Sequence, residues 1–251
     1  LLFFAYIFFA SKESISKKGW NVWRTISFTF GSACLALSFS PPLVDFAHHH
    51  FTGHTIQHLL LGMLAPVGLV LGAPVTLALR TASLVRVWAI SRILNSGYLH
   101  FINKPLVIFL LNSGSLFLLY LTPLFDLIHQ YPASHILVHI HMLLAGYLFT
   151  WTIIGPDPAP GRLKMEIRVL ILFISIAAHS FLSKHKYAYH YPKTAGHGIE
   201  EIKSGAKLMY YGGDLIELII VIALFSLWYR GKGKPYYQFN LSLKQIFRPT
   251  K

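Results

Sequence analysis

The chain has 251 residues, 54% of them hydrophobic and only 12% charged, against roughly 25% charged in a soluble domain, which excludes an ordinary soluble fold. Its mean hydropathy is +0.53. The formal charge of +13 does not mark a nucleic-acid binder, because the lysines and arginines fall in short segments between apolar stretches and act as topology signals.

The opening LLFFAYIFFA lacks a methionine, a basic n-region and a small-residue cleavage site, so it is expected to be the remnant of a first span rather than a signal peptide. A membrane-spanning helix needs about 20 largely apolar residues. Candidates then follow at 1–10 (truncated), 20–40, 54–79, 105–122, 135–154, 165–183 and 208–229. Pro66 and Pro74 should kink or shorten the third, and 81–104 has room for a short amphipathic helix. The fold class expected is all-α, a polytopic transmembrane bundle of about seven spans forming one domain over 1–251, with a cytoplasmic tail at 230–251.

Orientation follows from lysine and arginine in the short loops. Segments 11–24, 80–104 and 162–168 and the tail are basic, whereas 41–53 and 123–134 contain no lysine or arginine. The loop 184–207, with five lysines, dilutes the pattern. The N-terminus is therefore expected outside and the C-terminus inside. Thirteen of the fourteen histidines then fall on the outer half, and only His100 lies inside. So do six of the nine acidic residues: Asp45, Asp126, Glu200, Glu201, Asp214 and Glu217.

Chemistry concentrates in two H-x-x-x-H pairs, His54 with His58 at the start of the third span and His135 with His139 at the start of the fifth. Residues four apart share a helix face, so each pair offers two imidazoles on one side, and four nitrogens could converge between helices. Such sets bind copper, zinc or iron; the alternative is hydrogen bonding across helices. His141 is about 200° round from His139 and should face elsewhere. His179 stands at the right depth to complete a site, and Asp214, with Glu217 three residues on, can either cap the seventh span or serve as a ligand. The His48 to His50 run and His185, His190 and His197 are capture sites or ordinary surface residues. With Cys34 the single cysteine, no disulfide or thiolate cluster is available. Met63, Met142 and Met209 would favour copper(I) if they ligate and are otherwise core residues. Gly155 to Arg162, GPDPAPGR, reads as a rigid connector.

These motifs resemble the CtaG-type cytochrome c oxidase assembly factors, polytopic bacterial membrane proteins. The string GHTIQHLLLGMLAPVGLVLGAP, Gly53 to Pro74, is similar to that family's H-x-x-Q-H segment with Ala-Pro and Leu-Gly-x-Pro. HILVHIHMLLAGYLFTWTIIGPDPAP, His135 to Pro160, is similar to its second H-x-x-x-H and D-P-x-P turn. EEIKSGAKLMYYGGD, Glu200 to Asp214, departs from the family: Glu200 and Glu201 replace Asp-Gln and Tyr210 replaces tryptophan. The resemblance covers most of 50–220 and implies a part in making an active haem-copper oxidase through copper supply to its catalytic subunit.

The function expected is a multi-pass protein of the bacterial plasma membrane, not an enzyme, that holds copper through His54, His58, His135 and His139 and passes it to an oxidase subunit. His179, His141 and Asp214 are secondary ligand candidates. The alternatives are an intramembrane zinc hydrolase and a b-type haem protein with axial histidines. Membrane lipid is the surrounding medium, nucleic acid is not expected as a partner, and a homo-oligomer is compatible with the sequence.

Overall fold

A computed structural model describes residues 2–16, 19–125, 127, 132–159, 161–193 and 198–231. Asp126, His129, His197 and the basic tail from 232 lie outside them. Among the described residues there is no β-strand. The helices are α1 Leu2–Ile15, α2 Val22–Ser38, α3 Pro41–His49, α4 Phe51–Thr81, α5 Leu84–Leu94, α6 Gly97–Ile102, α7 Pro105–Leu121, α8 Pro132–Ile154, α9 Met165–Tyr189 and α10 Ile199–Gly231.

A helix therefore stands at every expected span. Among the described residues four helices are long and apolar enough to cross a membrane, essentially α4, α8, α9 and α10, and α2 with α3 raises the number to five if that pair, bent by 53°, is one span. The helices α1 and α7 are shorter. Two boundaries move, since α9 runs on to Tyr189 and α10 begins at Ile199, and the expected outer segment 41–53 carries the helix α3 directly after α2. Asp214 consequently sits well inside α10 and caps nothing.

The centre of the bundle is α4, which packs on α2, α3, α8 and α10. Its middle is apolar, as suits a helix at the centre of a bundle, and Leu61, Ala65 and Val70 are fully buried. Pro66 cannot donate the bond that the Gly62 carbonyl would receive in an α-helix. The helix meets this with a π-helical stretch at Leu59–Leu64 just before it. Gly72 and Ala73, the latter left-handed at φ 51°, break the helix ahead of Pro74. The Tyr6 hydroxyl of α1 donates to the freed Gly72 carbonyl at 2.7 Å. A second π-helical stretch, Leu110–Gly114, interrupts α7.

The two ends of the bundle differ in chemistry. At one end Arg24 and Arg80 lie over Trp20, Arg168 donates to the Ile153 carbonyl, and His100 packs beside Gly161. At the other, the starts of α4, α8 and α10 meet the end of α9, and the remaining described histidines gather there.

The GPDPAPGR connector does more than turn. Asp157, buried, accepts the Thr76 backbone N–H at 2.7 Å, the Thr76 hydroxyl at 2.6 Å and the Val75 N–H at 3.2 Å. Its carboxylate thus satisfies the first turn after the α4 break, where negative charge is favoured. Asp157→Ala strips three bonds and leaves buried donors unpaired, which should lower stability by about 3 kcal/mol. A thermal melt of the detergent-solubilised chain checks this, with Asp157→Asn expected to lose less; an unchanged melt would dismiss the clamp.

Candidate functional site

At the histidine end, α10 fixes the start of α4. Glu201 accepts the Phe51 backbone N–H at 2.7 Å and lies 3.3 Å from His50 Nδ1. Gly205 lets the Phe51 ring pack against α10, since a Cβ there would sit 2.6 Å from it. The first turns of α4 then carry His54 and His58 inward, and both are buried.

The two sequence pairs do not face one another as a square of four. His54 has His139 as a neighbour at 6.5 Å between ring centroids. His58 instead neighbours His179 of α9, at 6.3 Å. His139 sits between its own helix and α4: Nδ1 contacts the His135 carbonyl at 2.8 Å and Nε2 contacts Gln57 Oε1 at 3.0 Å. Gln57 Nε2 donates to the Ser38 carbonyl at 2.8 Å, which orients the amide. His135 is half-buried, with its ring 4.2 Å from that of His139 and 4.8 Å from that of exposed His48. His141 faces away, as its helical angle requires, and contacts the Leu111 carbonyl at 3.2 Å. Asp214 accepts from the Ser180 hydroxyl at 3.2 Å. His185 packs among Phe181, Tyr189 and Tyr191.

Among the described residues, no three or more histidine, cysteine, aspartate or glutamate side chains are gathered closely enough to hold a metal ion. The nearest approach is a cavity of about 40 Å³ lined by His58, His179, Glu217, Ser175, Met142 and Met63. Its size suits an ion or two or three waters. Both π-helical stretches border it, one through Gly62 and Met63 and the other through Asn112 and Ser113. Neither ring nitrogen of His58 or of His179 has a hydrogen-bond partner among the described residues. His179 Nδ1 lies 3.6 Å from Glu217 Oε1, too long for a hydrogen bond but close enough for an electrostatic pairing. Gly213 makes room for this imidazole, since a Cβ there would come within 2.1 Å of it.

Buried nitrogens without partners are rare because each forfeits its hydration. The donor types, imidazole, carboxylate and thioether, are those that soft or borderline metal ions take, but His58, His179 and Glu217 are not gathered closely enough to hold one.

Histidine spacing does not reveal Lys186. It is fully buried, with Nζ 3.4 Å from the Tyr120 ring centroid, 4.7 Å from that of Phe51 and 3.3 Å from Met209 Sδ, an amine enclosed by aromatic faces and a thioether. A signal existed: Ser175, His179, Ser183 and Lys186 recur at i, i+4, i+8 and i+11, a polar stripe on an apolar helix, and all four are buried. Of Asp214 and Glu217, it is Glu217 that lies beside His179.

The curated relatives are similar but longer. An uncharacterised protein of Mycobacterium leprae is 32% identical over 231 residues, covering 84% of this chain and 35% of that protein. One from Mycobacterium bovis is 37% identical over 170 residues, covering 64% of this chain and 26% of that protein. The chain thus spans about a third or less of the relatives it matches. No solved structure matches. The model of the cytochrome c oxidase caa3 assembly factor family matches residues 2–231, nearly the whole of the described chain. Together with the helix bundle and the histidine-rich segments that carry the motif resemblance, this assigns the chain to the family of cytochrome c oxidase caa3 assembly factors.

Proposed function

We propose that the chain assists assembly of a haem-copper cytochrome c oxidase in the bacterial plasma membrane by holding copper at its histidine end and yielding it to the oxidase catalytic subunit. It acts as a carrier, not a catalyst. The observation that carries the reading is the pair of buried imidazoles, His58 and His179, whose four ring nitrogens lack hydrogen-bond partners beside a polar cavity. Such groups are costly in an apolar bundle unless something binds them. His54 lies one turn before His58, His139 neighbours His54 and His135 neighbours His139, while His141 and Asp214 are engaged elsewhere. Copper(I) suits the donors, because imidazole and thioether are soft to borderline ligands. Glu217 balances charge.

The test is elemental analysis of the purified chain after exposure to copper(I), compared with a variant carrying alanine at His54, His58, His135 and His139. Wild type should retain copper and the quadruple variant should lose at least nine-tenths of it. Undiminished copper in the variant would dismiss the reading. Stoichiometric zinc would favour hydrolase chemistry, and a Soret band would favour haem.

A further inference from the structure

The segment between α4 and α7 neither crosses the bundle nor is enclosed by it. Its two helices, α5 of 11 residues and α6 of 6, extend about 16 Å and about 9 Å, well short of the roughly 30 Å of a bilayer's hydrocarbon core. Neither contains a buried residue. Both are nonetheless anchored at the arginine end of the bundle. Leu94 and Leu99 pack against the main core, His100 lies beside Gly161, and the Thr152 hydroxyl of α8 donates to Asn103 Oδ1 at 3.3 Å. An element fixed in this way presents a defined outer face.

Helical spacing sorts α5 into two sides. Val87, Ile90 and Leu94 recur at i, i+3 and i+7 and are half-buried against the bundle. Val85, Trp88 and Ile93 lie on the opposite side and are exposed, as are Tyr98 and Phe101 of α6. Arg86 and Arg92, both exposed, stand about 120° apart round the helix and flank that outer side. Between 80 and 104 the sequence has four arginines and lysines and no aspartate or glutamate. Arg80 is paired with Glu13 at 3.5 Å, which leaves Arg86, Arg92 and Lys104 without a carboxylate partner among the described residues. Arg92 lies over the Trp88 ring at 5.4 Å and Lys104 over that of Phe101 at 5.4 Å, so two of these charges rest on aromatic rings of the kind that settle at headgroup depth.

We propose that α5 and α6 lie in the membrane interface and bind anionic phospholipid, with the apolar outer side against acyl chains and Arg86, Arg92 and Lys104 on the headgroup phosphates. A short helix that joins basic and aromatic residues and cannot span is the pattern of an interfacial element. Charge selects the occupant. An apolar partner helix would leave three cations desolvated and unpaired, and a second copy of this face would set cation against cation. Guanidinium groups take phosphate oxygens in bidentate pairs. A zwitterionic headgroup offers the same phosphate but adds a further cation beside these three, so a net negative lipid is preferred. The site stands at the opposite end from the buried histidines and does not depend on the copper reading.

The purified full chain, reconstituted in vesicles of equal parts phosphatidylcholine and phosphatidylglycerol and extracted in mild detergent, gives the ratio of retained lipids by mass spectrometry. Wild type should hold phosphatidylglycerol over phosphatidylcholine by about tenfold or more. A chain with Arg86→Gln, Arg92→Gln and Lys104→Gln should bring the ratio near unity while melting with wild type. Lys184→Gln, Lys193→Gln and Lys207→Gln together remove the same charge from exposed positions at the histidine end and should leave the ratio unchanged. No preference in wild type, or an equal loss in the two triple variants, would overturn the site. Trp88 emission, taken as wild type minus Trp88→Phe, reports depth: lipid brominated near the headgroup should quench it more than lipid brominated at the chain ends. Stronger quenching from the chain ends would place α5 in the hydrocarbon, and quenching by neither would mean that protein covers the face; either result contradicts the proposal.

Discussion

Gly146→Ala should leave little folded protein. A Cβ at this position of α8 would lie 2.0 Å from the Gly62 carbonyl oxygen, 2.9 Å from its carbon and 3.2 Å from Pro66 Cγ. The first two are backbone atoms, so no side-chain rotation relieves the clash. The sequence explains the tight approach: Pro66 cannot donate to the Gly62 carbonyl as an α-helical residue would. That carbonyl instead packs on the hydrogens of Gly146, a contact only glycine permits. Relief requires α8 to withdraw from α4 and open the cavity both helices line, which should cost about 3 kcal/mol or more. Melting in detergent and yield from the membrane are the readouts. Gly97→Ala, where nothing lies within 4 Å, should melt with wild type. A Gly146→Ala chain as stable as wild type would mean that the two helices do not meet there.

The second large effect runs in two directions at once. Replacing both His58 and His179 with leucine should lower copper affinity by a hundredfold or more, yet it should not weaken the apo protein. Each substitution removes two buried nitrogens with no hydrogen-bond partner, and a buried unpaired polar group costs about 1–3 kcal/mol. The apo double variant should therefore melt at or above the wild-type temperature, the exchange of stability for function expected of a binding site. Residues kept only to hold helices together behave oppositely, and a lower melting temperature with unchanged copper affinity would identify them as structural.

Much of the fold was legible because spans follow from apolar length, and the two breaks in α4 were marked by Pro66 and Pro74. The π-helical stretches were not legible, since 3.6-residue periodicity presupposes the regular helix they interrupt. The histidine site was half legible. Spacing puts His54 and His58, and His135 and His139, one turn apart on α4 and α8. It could not say which pair meets which, because helix register and crossing angle decide that. His58 therefore turned out beside His179, and His139 beside Gln57. Continuing α9 to Tyr189 brought Lys186 inside, where a loop had been expected at 184–207. Asp157 was hidden in a proline-rich segment because its partners, Val75 and Thr76, are remote in sequence.

Copper content of the purified full chain, measured by elemental analysis after loading with copper(I) and removal of excess, bears most directly on the central claim. About one copper per wild-type chain is expected, with at most a tenth of that in the His58→Leu, His179→Leu variant. Wild type without copper, or a double variant that retains it in full, would contradict the claim.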